Sequence, residues 1–484
     1  MRLRPQLITY PDSLGGNLST LRRLLDGRLG GLFAGVHILP PFPSSGDRGF
    51  APITYERIDA AFGSWADIQR IGRDLDVALD LIVNHVSRRS PEFADFERRG
   101  RASPHADLFL TLDKLWPGGE PRPVDVDLVH RRRPVPWSMF RIAATGEVER
   151  VWTTFGRDDP SEQIDLDVRS TAARDLLAAQ LERFARHGVR LVRLDAVGYV
   201  GKRAGTSCFM VEPEVGDFLV WARSAAEPLG LELLTEVHAP RPLQHRLATT
   251  GCWVYDFVLP GLVLHAFRSG DAARLAEHLA TSPDRQVTTL DSHDGIPVQP
   301  DLEGILTIEE TKMLVADALA RGANISRLFT TAHLPDPGFD AHQINLTYRC
   351  AVGDDEGYVA ARAIQLFAPG VPQVYYVGLL AGENDDAAVR RTGEGRAINR
   401  HDYTPDEINV ALDTELVRRI VRLVRLRNEH PAFAGRPRVE ASNSRLALGW
   451  AANGAAASLE VDLMTRAARV SARDAAGRLE DFHA

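Results

Sequence analysis

The sequence predicts an α/β chain built on a (β/α)8 TIM barrel, with two inserted loop-rich subdomains and a small C-terminal β-domain. Three observations lead there. Short apolar runs alternate with amphipathic stretches about eight times, which is the grammar of βαβ units and the number that closes a parallel barrel. Acids, arginines and histidines recur at the carboxyl ends of these runs. The rhythm breaks twice, over 86–167 and over 296–354.

The first strand, Leu7-Ile8-Thr9-Tyr10, precedes a helix-like stretch from Leu18 to Leu25, and Gly35-Val36-His37-Ile38-Leu39 follows, closed by Pro40-Pro41. Ser64 is placed to cap the next helix, which leads into Val77 to His85, a strand with polar residues at its end. Loops then take over, with Pro117-Gly118-Gly119 and the basic run Arg131-Arg132-Arg133. Helical periodicity returns from Ala172 to His187, where Leu176, Leu177, Leu181 and Phe184 share a face and Gly188 ends the helix. An apolar run beginning at Val189 then stops at Arg193-Leu194-Asp195-Ala196-Val197-Gly198-Tyr199. Alternate strand residues share a face, so Arg193 and Asp195 point one way, Val192 and Leu194 the other. Taken alone, this stretch fits a buried structural ion pair as well as a catalytic strand end.

The unit from Val211 to Leu234 finishes in Leu233-Leu234-Thr235-Glu236-Val237-His238. Further strands are expected at Trp253 to Phe257, at Gln286 to Leu290 just before Asp291-Ser292-His293-Asp294, and at Val371 to Tyr376 after a helix over Tyr358 to Phe367. Leu416 to Arg427 reads as the last barrel helix, and alternating runs such as Arg445 to Trp450 read as the terminal β-domain. The expected division is 1–85, 168–295 and 355–430 for the barrel, 86–167 and 296–354 for the insertions, and 431–484 for the β-domain.

A net charge of −8 on 484 residues gives no polybasic surface, so neither nucleic acid nor an anionic membrane is an expected partner. The basic residues are nearly all arginine, and the few lysines, Lys114, Lys202 and Lys312, read as compositional bias. Cys208, Cys252 and Cys350 are odd in number and far apart, which predicts reduced thiols and no CxxC metal or redox site. No apolar segment follows the N-terminus and no run of ~18 apolar residues occurs, so neither a secretory signal nor a membrane span is expected, and the chain is expected to be cytoplasmic, as monomer or homodimer.

In a (β/α)8 barrel all strand ends open on one face, so Asp195, Glu236 and Asp294 can converge on one pocket despite their separation in sequence. Asp80 to His85, Arg193 to Asp195, Glu236 and His293-Asp294 resemble the four signature regions of the α-amylase superfamily, in order and spacing. Gln6 to Tyr10, Gly35 to Pro40, Arg193 to Tyr199, Gly205 to Phe209 and Ile398-Asn399-Arg400-His401 narrow the resemblance to its sucrose phosphorylase group. The likeness implies a retaining double displacement: Asp195 as nucleophile, Glu236 as general acid/base and Asp294 as transition-state stabiliser. Arg193 is expected to keep Asp195 ionised, and crowding of acids to keep Glu236 protonated.

The resemblance also implies that Asp47, His85, His293 and Arg400 hold sugar hydroxyls, that Phe50 and Phe155 line the ring, that Gln163 lies on the acceptor side, and that His238 is among the substrate-binding residues. Its arginine-bearing loop falls on the basic run, where the phosphate arginine aligns with Arg132, or with Arg133 if the alignment slides by one. A basic triplet is also compatible with a plain solvated surface. In the second insertion Gly338-Phe339-Asp340-Ala341-His342-Gln343 stands where sucrose phosphorylases carry Leu-Asp-Leu-Tyr-Gln, so His342 replaces a tyrosine. These loops, with Pro43 to Phe50 and Val86 to Ser90, resemble the branch acting on sucrose 6'-phosphate. The expected partners are therefore a phosphorylated disaccharide and inorganic phosphate, with Arg133 and His342 binding the 6'-phosphate, Asp340 and Gln343 beside them, and no metal or cofactor. The other readings are phosphorolysis of sucrose or glucosylglycerate, hydrolysis by the same triad, and a non-catalytic barrel.

Overall fold

A computed structural model describes residues 4–131, 133–156, 158–327 and 338–484. Eight parallel strands close a barrel: β1 (Gln6–Thr9), β2 (Gly35–Ile38), β3 (Asp76–Ile82), β4 (Val189–Asp195), β5 (Glu232–Thr235), β6 (Trp253–Asp256), β7 (Gln286–Thr288) and β8 (Val371–Tyr375). Neighbours around the barrel are neighbours in sequence, and β8 closes on β1. Each strand coincides with a predicted run to within a few residues.

The apolar residues separate into two buried sets. Ala78, Leu191, Leu234, Trp253, Tyr255, Phe257, Val287 and Val371 form one cluster, the plug inside the barrel. Leu7, Val36, Leu79, Val192 and Leu194 belong to the larger set packed against the helices. Leu191, Arg193 and Asp195 therefore rise on one face of β4, from apolar plug to charged layer to pocket floor. Asp80 of β3 is the register partner of Arg193.

The helices follow the same logic. Ser170 caps Thr171–Arg186 by accepting from the Ala173 amide, and the helix buries Ala173, Leu177, Leu181 and Phe184. Leu176, expected on that face, is only partly buried.

The two insertions are more regular than the loops expected. In the first, His85–Ser87 pairs antiparallel with Gln163–Asp165, and Trp137–Arg141 forms a hairpin with Val148–Trp152. Phe93, Phe96, Phe109 and Phe140 pack on one another and join the first insertion to the main core of the barrel. The second holds the helix Ile308–Ala320 and a three-stranded sheet of Ile296–Pro297, Ala341–Asn345 and Asn324–Arg327. Short polar strands like these lack the apolar alternation that makes a strand visible in sequence. Beyond them, five antiparallel strands from Pro437 to His483 form a meander, fastened to the barrel where Trp450 Nε1 donates to Phe367 O at 2.8 Å. All three cysteines are free thiols. Among the described residues no helix is long and apolar enough to cross a membrane.

Candidate active site

The site begins with one shared guanidinium. Arg193 Nη1 lies 2.6 Å from Asp80 Oδ1 and 2.7 Å from Asp195 Oδ1, while His37 Nε2 meets Asp80 Oδ2 at 2.8 Å. Burial opposes ionisation of Asp80, but His37 and Arg193 outweigh it and hold its carboxyl below the usual range. Asp195 is left with half a partner. Burial pushes its carboxyl up to about 8 against the pull of Arg193, with the charges of Glu236 and Asp80 adding to the rise. Arg193 alone therefore does not keep Asp195 ionised, contrary to the sequence expectation.

Ala196, just after Asp195, takes a left-handed conformation at φ 54°, and its amide donates to Glu236 Oε2 at 2.8 Å. A left-handed non-glycine residue costs about 1–2 kcal/mol. Here the turn aims an amide at the second acid. Gly198 follows because a Cβ there would stand 2.6 Å from the Phe209 ring.

Asp294 is held differently. Burial works against its charge, but Arg396 first, with Arg400 and Arg193, holds the carboxyl well below its ordinary value. Arg396 Nη1 sits 2.7 Å from Asp294 Oδ1, and Arg400 Nη2 sits 3.9 Å from the same oxygen. Arg400 Nε and Asn399 Nδ2 donate to the carbonyls of His293 and Asp294, at 2.7 and 3.0 Å, which pins the strand-end loop. Burial pushes the His293 ring down to about 3, so it is a neutral donor stacked on Phe50 with centroids 4.9 Å apart.

Asp47, Phe50, His85, Phe155 and Gln163 line the same cavity as Asp195, Glu236, Asp294 and His293. His85 Nε2–H and Gln163 Nε2–H both donate to Phe50 O, at 2.9 and 3.2 Å. These residues surround about 720 Å³ of space, counting the part that opens to solvent.

The outer wall carries His238, His342, Gln343 and Arg396. His238 Nδ1–H donates to Asp301 at 2.9 Å, and its Nε2 lies 3.5 Å from Glu236 and 3.3 Å from Gln343 Nε2. Burial pulls the His238 ring down, but Asp301, Glu236 and Asp294 outweigh it and raise its pKa. His342 Nδ1–H donates to Gln299 O at 2.6 Å, fixing that ring beside His238.

Two predicted acceptor residues are placed elsewhere. The Arg133 guanidinium is engaged inside the first insertion by Ser138 and Thr153 hydroxyls and Asp159, each at 3.1 Å, and does not line the cavity. Asp340 pairs with Arg327 and likewise stands outside the lining. Arg132 lies outside the described residues.

Residues 29–239 match the family model for the alpha-amylase catalytic domain. The chain is 51% identical over 467 residues, 96% of each chain, to a sucrose 6(F)-phosphate phosphorylase from Thermoanaerobacterium thermosaccharolyticum. The chain belongs to the α-amylase family, in its sucrose phosphorylase group. A sucrose phosphorylase from Streptococcus mutans is 43% identical over 91% of each chain. The crystal structure of sucrose 6F-phosphate phosphorylase from Thermoanaerobacter thermosaccharolyticum superposes with a TM-score of 0.98 at 49% identity, covering 100% of this chain and 99% of that one.

Within this α-amylase-family barrel, sequence reasoning misses Arg396 and Lys202, along with the cavity residues His130, Tyr199 and Phe209. Tyr199 and Phe209 lie within the family motifs and their aromatic type is a signal; Arg396 follows a glycine in an irregular segment and carries none. Lys202 reads as compositional in the sequence, yet its ammonium, 3% exposed, meets Asp165 Oδ2, Asn84 Oδ1 and Tyr199 O at 2.8, 2.7 and 2.5 Å, joining the ends of β3 and β4 to the first insertion. This oxygen-lined position is thus filled by the chain's own cation. Glu236, His238 and Asp294 present ligand atoms within 4.8 Å of one another, but these are the acid/base site, and a divalent ion there would compete with Arg396 for Asp294.

Proposed function

We propose that this chain is a retaining glycoside phosphorylase converting sucrose 6'-phosphate and inorganic phosphate to α-D-glucose 1-phosphate and D-fructose 6-phosphate. The observation that carries the reading is the pairing of Asp195 and Glu236 across the Ala196 amide, in a cavity whose outer wall bears Arg396, His238 and His342.

Asp195 attacks the anomeric carbon as the glycosidic bond breaks, and Glu236 as general acid gives its proton to the leaving fructosyl oxygen. A β-glucosyl ester on Asp195 results, with Glu236 ionised. Phosphate then attacks the same carbon, the ester bond to Asp195 breaks, and the proton of the attacking phosphate oxygen passes to Glu236. Two inversions give retention. Asp294, held ionised by its arginines, faces the positive charge that develops at the sugar ring in both steps. His293 acts as a neutral donor toward sugar hydroxyls, since burial pushes its ring down; burial also pushes His85 down, and its Nε2–H is held by Phe50 O, so this ring lines the sugar pocket without donating to it.

On the acceptor side the reading rests on His342 and the neighbouring Arg396, and on the likeness to a relative named for the phosphorylated sugar. Arg133 contributes only if its bonds to Ser138, Thr153 and Asp159 are exchanged for the ligand. The deciding experiment supplies phosphate with sucrose 6'-phosphate, sucrose, glucosylglycerol or glucosylglycerate and measures glucose 1-phosphate. Preference for sucrose 6'-phosphate is expected. Equal or better turnover of another donor would reassign the acceptor.

A further inference from the structure

We infer that Arg396 receives inorganic phosphate at the glucosyl-enzyme stage and so decides phosphorolysis over hydrolysis; this role rests on the phosphorylase reading above. Charge creates the need. Once the glucosyl ester has formed, Glu236 and Asp294 both face the cavity as carboxylates. A phosphate anion approaching them is repelled and water is not, so the nucleophile cannot be selected without a cation beside its path.

Few cations can serve. Arg193 is 3% exposed and already bound to Asp80 and Asp195, and Arg133 is engaged within the first insertion. Arg396 is the one arginine or lysine lining the inner cavity among the described residues, and it also lines the wider cleft outside, between Glu394, Asn324 and Arg327. A ligand moving inward passes its guanidinium. That group is a rigid planar fork suited to two phosphate oxygens.

Arg396 is also placed to let go of its present partners. It holds Asp294 Oδ1 at 2.7 Å and Gln343 Oε1 at 2.8 Å, with its side chain 20% exposed. Asp294 has a substitute close by: Arg400 Nη2 is buried with no hydrogen-bond partner among the described residues, 3.9 Å from the same oxygen. When Arg396 turns to phosphate, Arg400 can close on Asp294 and keep it ionised. Gln343 sits on the second-insertion strand beside His342, so the same guanidinium couples the acceptor wall to the transition-state carboxylate.

The test uses α-glucosyl fluoride, whose leaving group carries no phosphate and needs no general acid, so inorganic phosphate is the single phosphoryl ligand present. At fixed phosphate, the ratio of glucose 1-phosphate to glucose reports how the glucosyl-enzyme partitions, independently of how fast it forms. Arg396→Gln is expected to lower that ratio at least tenfold and to raise the phosphate concentration giving half-maximal phosphorolysis. If both products slow together at an unchanged ratio, Arg396 only positions Asp294 and this role is wrong. Should Arg396→Gln fail to fold, Arg396→Lys is read instead: it keeps the charge without the fork, a fall of threefold or more is expected, and an unchanged ratio overturns the role. A wild-type enzyme that releases glucose alone at every phosphate concentration refutes the phosphorylase reading and this role together.

Discussion

Asp195→Asn separates a catalytic strand end from a structural ion pair through the sign of its effect on stability. Were the Arg193–Asp195 contact a stabilising pair, removing one partner of a buried bridge would cost about 3–5 kcal/mol. The structure predicts otherwise. Arg193 keeps Asp80 as a partner at 2.6 Å, and the Asp195 carboxyl is pushed up to about 8 by burial and by its acidic neighbours. A carboxyl whose folded pKa lies above its unfolded value holds a proton that the unfolded chain has released. Stability is therefore lost as pH rises from about 4 toward about 8, and Asp195→Asn removes that loss. Each tenfold change in a proton-binding constant is worth about 1.4 kcal/mol, and with the pair free to relax we expect a gain of about 1–3 kcal/mol at pH 8. For 484 residues at about 2.1 cal/mol/K each, the unfolding entropy is about 1 kcal/mol/K, so Tm rises by about 1–3 °C. Thermal unfolding of both proteins from pH 5 to 8 is the assay, with turnover falling by roughly 10⁴-fold or more. A drop in Tm of about 3–5 °C, or a gap that does not widen with pH, would refute the reasoning.

Three further outcomes are expected. Lys202→Met leaves Asp165 buried without its cation and should lower Tm by about 3–5 °C; a change under about 1 °C would show that the ammonium is dispensable. The rate of fluoride release from α-glucosyl fluoride, whose leaving group needs no general acid, should rise with pH toward about 8 as the Asp195 carboxyl loses the proton that burial holds on it; a rate unchanged from pH 6 to 8 would show the nucleophile already ionised. His342→Ala should reduce the preference for sucrose 6'-phosphate over sucrose by about 10- to 150-fold, the equivalent of one hydrogen bond to a charged group, as read from the ratio of kcat/KM values.

The barrel is legible because each strand is an apolar run ending in polar residues, and because the strands pair in sequence order. Arg193 and Asp195 follow from alternation alone, and Glu236 and Asp294 from standing just past other strand ends. What resists reading is the direction of side chains in irregular segments. Three arginines in a row suggest a phosphate site, yet Arg133 turns into the first insertion and bonds to Ser138 and Thr153, while Arg396, alone in a turn, reaches Asp294. No periodicity distinguishes these two cases. Lys202 is misread because its partners, Asn84 and Asp165, come from segments that meet only once the first insertion folds over the barrel. The balance of charge at Asp195 is equally hidden, because nothing in the order of residues says that one guanidinium must serve two carboxylates.

The central claim is tested most directly by the products formed from sucrose 6'-phosphate in the presence of inorganic phosphate, with sucrose measured alongside. The account predicts α-glucose 1-phosphate and fructose 6-phosphate in equal amounts, little free glucose, and a kcat/KM for sucrose 6'-phosphate at least tenfold above that for sucrose. Glucose as the main product, or equal use of the two donors, would contradict it.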